Sequence, residues 1–238
     1  MKGAGFALLL MLVGCDAEPP ANRLRSDADV KSSEFAIAIR PVAPIVSSQW
    51  STEEARDRVR ESDTVMDLAG INPGMTVADI GAGEGYYTVR LAQRVGSSGR
   101  VLAQDIVPQV IKRLGQRVTR ERLSNVSVKL GNEADPKLPK NSFDRVFLVH
   151  MYHEIQKPYE FLWRLRPSLR VGGRVIVVDA NRPTDKHGTP PKLLDCEMMH
   201  VGYRRVDYHD LAAAGGYLAA FEASGNRPLP AQVKPCSL

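Results

Sequence analysis

Apolar residues along the chain fall into two alternating textures: short, nearly continuous runs, and longer stretches in which they recur every three or four positions. Such runs, together with more mixed segments at the same spacing, predict strands at Thr76 to Ile80, Val101 to Asp105, Val126 to Leu130, Arg145 to Val149, Arg174 to Asp179, Tyr203 to His209 and Tyr217 to Ala223. The periodic stretches predict helices at Tyr86 to Val95, Pro108 to Leu123, Pro158 to Leu169 and Pro191 to Val201. Val175-Ile176-Val177-Val178 is apolar without interruption, as expected of a central parallel strand covered on both faces. Strands and helices alternating at this spacing predict an α/β fold built on a doubly wound sheet. Upstream, Ser51 stands three residues before Glu54, the spacing of a capping box. It predicts one amphipathic helix whose Val59, Val65, Met66, Leu68 and Ala69 face a core, ended by Gly70 and the turn Asn72-Pro73-Gly74.

The N-terminal region has a different pattern. Lys2 precedes an apolar run from Phe6 to Val13, too short for a membrane-spanning helix, which needs about twenty residues, but suited to a secretory signal. Leu12-Val13-Gly14-Cys15 resembles the bacterial lipobox. That resemblance implies lipidation of Cys15 and a membrane-anchored lipoprotein on the periplasmic face, with Asp16 favouring the inner membrane. A hydrophobic start that merely contains a cysteine is the plain alternative, and would leave the protein cytoplasmic. From Asp16 to about Ser48, Pro19, Pro20, Pro41 and Pro44 stand among Ser, Asp and Arg without periodicity, the composition of a flexible tether. The expected organisation is a signal at 1–15, a tether at 16–50, a folded domain at 51–225 and a tail at 226–238.

The 238 residues, 43% apolar and 25% charged, suit one globular domain. The formal charge of +5 is scattered, which is mild evidence for an acidic partner or an anionic membrane surface. The basic helix carrying Lys112, Arg113, Arg117, Arg120 and Arg122 spreads its charge around a solvated side without aromatic residues for base stacking, so no nucleic-acid partner is expected. Cys196 and Cys236 have no C-x-x-C spacing and no neighbouring His pair, so no metal is expected. They read as two thiols, with pairing open to them only in an oxidising compartment.

The most informative segment is Asp79-Ile80-Gly81-Ala82-Gly83-Glu84-Gly85-Tyr86, a buried strand running into a glycine-rich turn and a helix. Gly81, Gly83 and Gly85 allow the backbone to turn sharply and approach a ligand. A dinucleotide loop would place its third glycine where Tyr86 stands, and Glu84 would repel a diphosphate. Asp79 likewise favours a ligand with positive charge. Twenty residues beyond Gly85, Asp105 ends the second strand, where an acid can accept hydrogen bonds from ribose hydroxyls; it can also cap the helix begun by Pro108.

These motifs, with Gly131-Asn132-Glu133-Ala134-Asp135, Asn141-Ser142-Phe143-Asp144 and Val171-Gly172-Gly173-Arg174 following in order, resemble the class I methyltransferases, particularly the group containing ubiquinone and menaquinone biosynthesis enzymes. The resemblance covers about Glu53 to Ala223. It implies a Rossmann-like seven-stranded sheet, mostly parallel with an antiparallel last strand, and S-adenosyl-L-methionine as cofactor. It also implies that Asn132 and Glu133 lie at the adenine, and that the acceptor is a small or lipid-like molecule. The segment after the fourth strand, His150-Met151-Tyr152-His153-Glu154, is expected to face the methyl group. His153 is the first candidate general base and His150 the second, also beside the cofactor, with Tyr152 contributing a phenol; a hydrogen-bonded structural role for either histidine stands beside this. A non-catalytic, membrane-tethered S-adenosylmethionine-binding module is the alternative function, and Tyr86 disfavours a nicotinamide oxidoreductase.

Overall fold

The computed structural model describes Met1 and residues 26–45 and 52–236. Cys15, Ser51 and, apart from Met1, the whole of the expected signal segment lie outside the described residues. The chain divides into a short unit, Met1–Val30, and a main unit, Lys31–Leu238. In the short unit Asp27–Asp29 form one 3-10 turn, in which the Ser26 amide donates to the Asp29 carboxylate at 3.1 Å.

In the main unit, helices α1 (Glu53–Arg58) and α2 (Glu61–Leu68) lead into the alternation β1 (Thr76–Ile80), α3 (Tyr86–Val95), β2 (Arg100–Asp105), α4 (Pro108–Arg120), β3 (Val126–Leu130) and β4 (Phe143–Val149). It continues with α5 (Pro158–Leu165), β5 (Leu169–Asp179), α6 (Pro191–His200), β6 (Tyr203–Leu211) and β7 (Gly216–Ala223). The seven strands form one sheet in the order β3-β2-β1-β4-β5-β7-β6. β1 to β5 pair in parallel, and β7 runs antiparallel to both β5 and β6. The doubly wound, mostly parallel sheet with an antiparallel last strand is therefore the fold of this chain. Its centre is apolar on both faces: Val77, Phe147, Ile176 and Leu218 on one side and Ala78, Val146, Leu148, Val175 and Val177 on the other are all 0% exposed. The strand order reverses between β1 and β4, so the chain leaves their carboxyl ends in opposite directions and opens a crevice there.

Three expectations are corrected. The single helix after residue 51 is two helices, because Arg60 adopts a left-handed conformation (φ 52°) between them. Its described cap is Thr52, whose hydroxyl accepts from the Ala55 amide at 3.2 Å. Residues 31–45, expected to belong to a flexible tether, instead pack on the domain. Phe35 meets Trp163 edge to face at 5.4 Å, and the Arg40 guanidinium, wholly buried, donates to Glu197 at 2.9 Å and to the Ile155 carbonyl at 3.0 Å. The cysteines are not separate thiols: Cys196 of α6 and Cys236 form a disulfide, with their Cα atoms 6.1 Å apart. The tail is held besides by the Trp163 indole donating to the Pro228 carbonyl at 2.8 Å, and Val233 is buried. No helix among the described residues is long and apolar enough to cross a membrane.

Candidate functional site

A cavity of about 730 Å³ occupies the crevice beyond β1 and β4, within the size range of small-molecule sites. One end is built from the glycine loop. The turn after β1 needs left-handed backbone at Gly83 and Gly85 (φ 55° and 92°), and a Cβ on Gly85 would come within 2.6 Å of Leu114 on α4. Glycine thus brings the loop down onto the helix. The Gly83 amide donates to one carboxylate oxygen of Asp105 at 3.0 Å, and the Val107 amide donates to the other at 2.9 Å. Asp105 is thereby fixed at the end of β2 with lone pairs left to accept hydroxyl groups from the cavity. Asn132 accepts from the Ala134 amide at 3.1 Å, which folds the turn after β3 so that Asn132 and Glu133 form the next stretch of wall.

The other end follows β4. His150 takes a left-handed conformation (φ 53°) and donates its amide to the Val178 carbonyl at 2.8 Å, which turns its ring into the cavity beside Met151. Its Nε2 lies 3.2 Å from Glu61 of α2. Glu61 is buried, accepts twice from Arg56 at 2.6 and 3.1 Å and once from the Tyr87 hydroxyl at 3.0 Å. Burial pushes the Glu61 carboxyl up, but hydrogen bonds from His150 and Arg56 outweigh it and hold the group down to about 2. Arg56 itself stacks on the Tyr86 ring at 3.9 Å and lines the cavity. Sequence reasoning missed Arg56 and Glu61; the one available sign was a Glu five residues after an Arg, a spacing that cannot pair on an unbroken helix.

The remaining sequence-derived candidates are dispersed. Gly81, Gly83, Asp105, Asn132, Glu133 and His150 line one cavity, whereas Asp79, Gly85, Tyr152 and His153 do not. Asp79 sits behind the loop, 3% exposed, with the Thr88 hydroxyl donating to it at 2.6 Å; burial pushes its carboxyl up to about 6 despite that bond. Tyr152 is fully buried and its hydroxyl donates to Glu197 at 2.7 Å. The ring of His153 is turned inward, with Nδ1 3.0 and 3.1 Å from the two oxygens of Asp179. Glu154, from the same segment, returns to the cavity wall.

Among the described residues, the lining carries five carboxylates, on Glu53, Glu84, Asp105, Glu133 and Glu154, against the single guanidinium of Arg56. Such a surface favours a ligand bearing positive charge. Val149, Met151, Ile155 and Phe161, from β4 and the segment that follows it, add apolar surface to the same wall.

Residues 71–202 match a family model described as a methyltransferase domain. An arsenite methyltransferase of Halobacterium salinarum is 31% identical over 136 residues, covering 54% of this chain and 34% of that protein. A ubiquinone/menaquinone biosynthesis C-methyltransferase of Escherichia fergusonii is 27% identical over 177 residues, covering 71% of this chain and 63% of that protein. The chain thus spans 34% and 63% of the lengths of these curated relatives. Among solved structures, a SAM-dependent methyltransferase from Aquifex aeolicus superposes with a TM-score of 0.64 at 22% identity, over 70% of this chain and 91% of that one.

Proposed function

The chain belongs to the methyltransferase domain family, and from that premise we propose that it transfers a methyl group from S-adenosyl-L-methionine to a small or lipid-like acceptor. The observation that carries this reading is one cavity walled by the glycine loop, by the carboxylates at the ends of β2 and β3, and by Val149, Met151, Ile155 and Phe161 from β4 and beyond. The donor set fits the cofactor: Asp105 is held by two backbone amides and can accept from ribose hydroxyls, Asn132 and Glu133 flank the place of the base, and the carboxylate excess suits a sulfonium and an α-ammonium. When bound, the cofactor supplies an activated methyl group whose leaving group is a neutral thioether, so alignment of the acceptor can provide much of the rate.

In this reading His150 is the proton acceptor, and His153 and Tyr152 act by position. The ionised Glu61 beside Nε2 of His150 fixes the orientation of that imidazole at the cavity wall. Calorimetry of the full chain with S-adenosylhomocysteine tests the donor site. Micromolar binding is expected, weakened about tenfold or more in Asp105→Ala, because a hydrogen bond to a charged group is worth roughly 1.5–3 kcal/mol. Absence of binding to the folded chain would overturn the assignment. Tight binding without turnover over a broad acceptor panel would instead make it an S-adenosylmethionine-binding module.

We further propose that Cys15 is lipidated and that the domain faces an oxidising compartment. The disulfide between Cys196 and Cys236 supports this, since such bonds persist where thiols are not kept reduced. Cys15→Ser should abolish lipid incorporation and membrane retention; a variant that fractionates with membranes as before would exclude the anchor.

A further inference from the structure

Behind the β4 end of the cavity stand two imidazoles and a carboxylate that the methyl-transfer reading leaves unused. The ligand atoms of His153, Glu154 and His187 all lie within 4.8 Å of one another. His153 and His187 meet edge to face, their ring centroids 5.4 Å apart. We propose that these three side chains bind a divalent first-row transition metal of the zinc class.

Four observations converge on this assignment. Two histidines and one carboxylate form a donor set that zinc takes with three protein ligands and one exchangeable position. Asp179 holds Nδ1 of His153 through both oxygens, the outer carboxylate arrangement that fixes the tautomer and directs Nε2 to a metal. Asp179 is itself anchored, accepting from the Thr189 hydroxyl at 2.7 Å and the Ala180 amide at 2.8 Å. Finally, Nδ1 of His187 is buried without a hydrogen-bond partner among the described residues, and the residue adopts a left-handed backbone (φ 54°). An unsatisfied buried nitrogen and a strained non-glycine backbone both cost stability, and a ligand bound there offsets them.

Tetrahedral donors about 2.0–2.1 Å from zinc stand roughly 3.4 Å apart, so closure of the cluster requires only a small approach of the His187 loop. That loop is already pinned at its base, where the Arg182 and Thr189 amides both donate to the Ala180 carbonyl, at 2.9 and 2.8 Å. Glu154 belongs to the cluster and to the cavity wall alike. A metal here would join the segment after β4 to the loop after β5 and present its fourth position beside the acceptor end of the cavity.

The test is zinc titration of the full, untagged chain by calorimetry under non-reducing conditions, with cobalt(II) as a spectroscopic reporter of tetrahedral N/O coordination. One zinc per chain is expected. His187→Gln and Glu154→Gln should each weaken binding at least tenfold and bleach the cobalt spectrum. Asp179→Asn should weaken it 10- to 100-fold, the usual effect of losing such an outer partner. His200→Gln, near the disulfide, should leave binding unchanged. His187 and Glu154 are partly exposed, so their variants are expected to fold where His153→Ala need not. Failure to bind zinc stoichiometrically, or affinity unaltered in both His187→Gln and Glu154→Gln, would overturn the proposal.

Discussion

Replacing Arg40 by Met should destabilise the domain severely, although the residue lies far upstream of the sheet. Its guanidinium and the Glu197 carboxylate are 0% and 1% exposed, 2.9 Å apart, and the Tyr152 hydroxyl donates to the second oxygen of Glu197 at 2.7 Å. Methionine preserves the volume but leaves the Glu197 charge in a nearly dry interior with one neutral donor, and it also withdraws the donor from the Ile155 carbonyl. Breaking one side of a buried pair costs about 3–5 kcal/mol. For a domain of this size that lowers the melting temperature by roughly 6 to 20 °C. Arg40→Met/Glu197→Gln removes the charge while keeping an acceptor for Tyr152, and should recover about 2 kcal/mol or more of the loss. Urea unfolding of both variants with the disulfide intact measures the two terms, provided the denaturant slope is unchanged. A loss below about 1 kcal/mol for Arg40→Met, or no recovery in the double variant, would refute the reasoning, because it would show that the desolvated charge is not what the guanidinium balances.

Three further outcomes are expected. Glu61 is held from 4.5 down to about 2 in the folded chain, so it contributes stability above pH 4.5 that is lost as pH falls towards 2; Glu61→Gln should cost on the order of 3 kcal/mol at pH 7 and flatten acid unfolding in that window. Asp79 has the opposite sign: raised from 3.8 to about 6, its ionisation withdraws stability as pH climbs between those values. Asp79→Asn, which keeps an acceptor for Thr88, should therefore stabilise the chain at neutral pH by up to about 3 kcal/mol, read from denaturant midpoints on either side of that range. Cys196→Ser opens a disulfide whose ends are 40 residues apart, and should cost about 4 kcal/mol on the chain-entropy model. Cys236→Ser and the double variant should cost the same within error.

How far the sequence could be read depended on the range of the interactions involved. Strands β1, β2, β4 and β5 and helix α3 are legible because burial on both faces writes apolar runs into the strands and a regular stripe into the helix, whereas β3, at the sheet edge, shows only the alternation Val126-Ser127-Val128-Lys129-Leu130. Gly83 and Asp105 are legible as partners because a βα unit carries its ligand-binding turn and the next strand end at a nearly fixed separation. Residues 31–45 are not, since what holds them is a few single contacts, Arg40 reaching Glu197 across 157 positions, and no local pattern records such a bond. The break between α1 and α2 is equally hidden, because Arg60 takes the left-handed turn without a glycine or proline to mark it.

The segment His150 to Glu154 shows why composition alone misassigned the faces of the site. Two imidazoles, a phenol and a carboxylate at the end of a central strand suggest one convergent cluster, but Tyr152–Glu154 fold into a 3-10 turn. With three residues per turn, neighbours point about 120° apart and side chains three positions apart eclipse. Met151 and Glu154 therefore share the cavity, while Tyr152 and His153 are carried to the opposite side. There Tyr152 meets Glu197 and His153 meets Asp179, a carboxylate at the end of β5. The same turn that removes His153 from the cavity sets it against His187 and next to Glu154. A base placed at His150 and a metal held behind it are thus two consequences of one local geometry, and substitutions on the two faces should separate them. His150→Gln should slow methyl transfer and leave zinc affinity intact, whereas His187→Gln should do the reverse to the metal before it alters binding of S-adenosylhomocysteine.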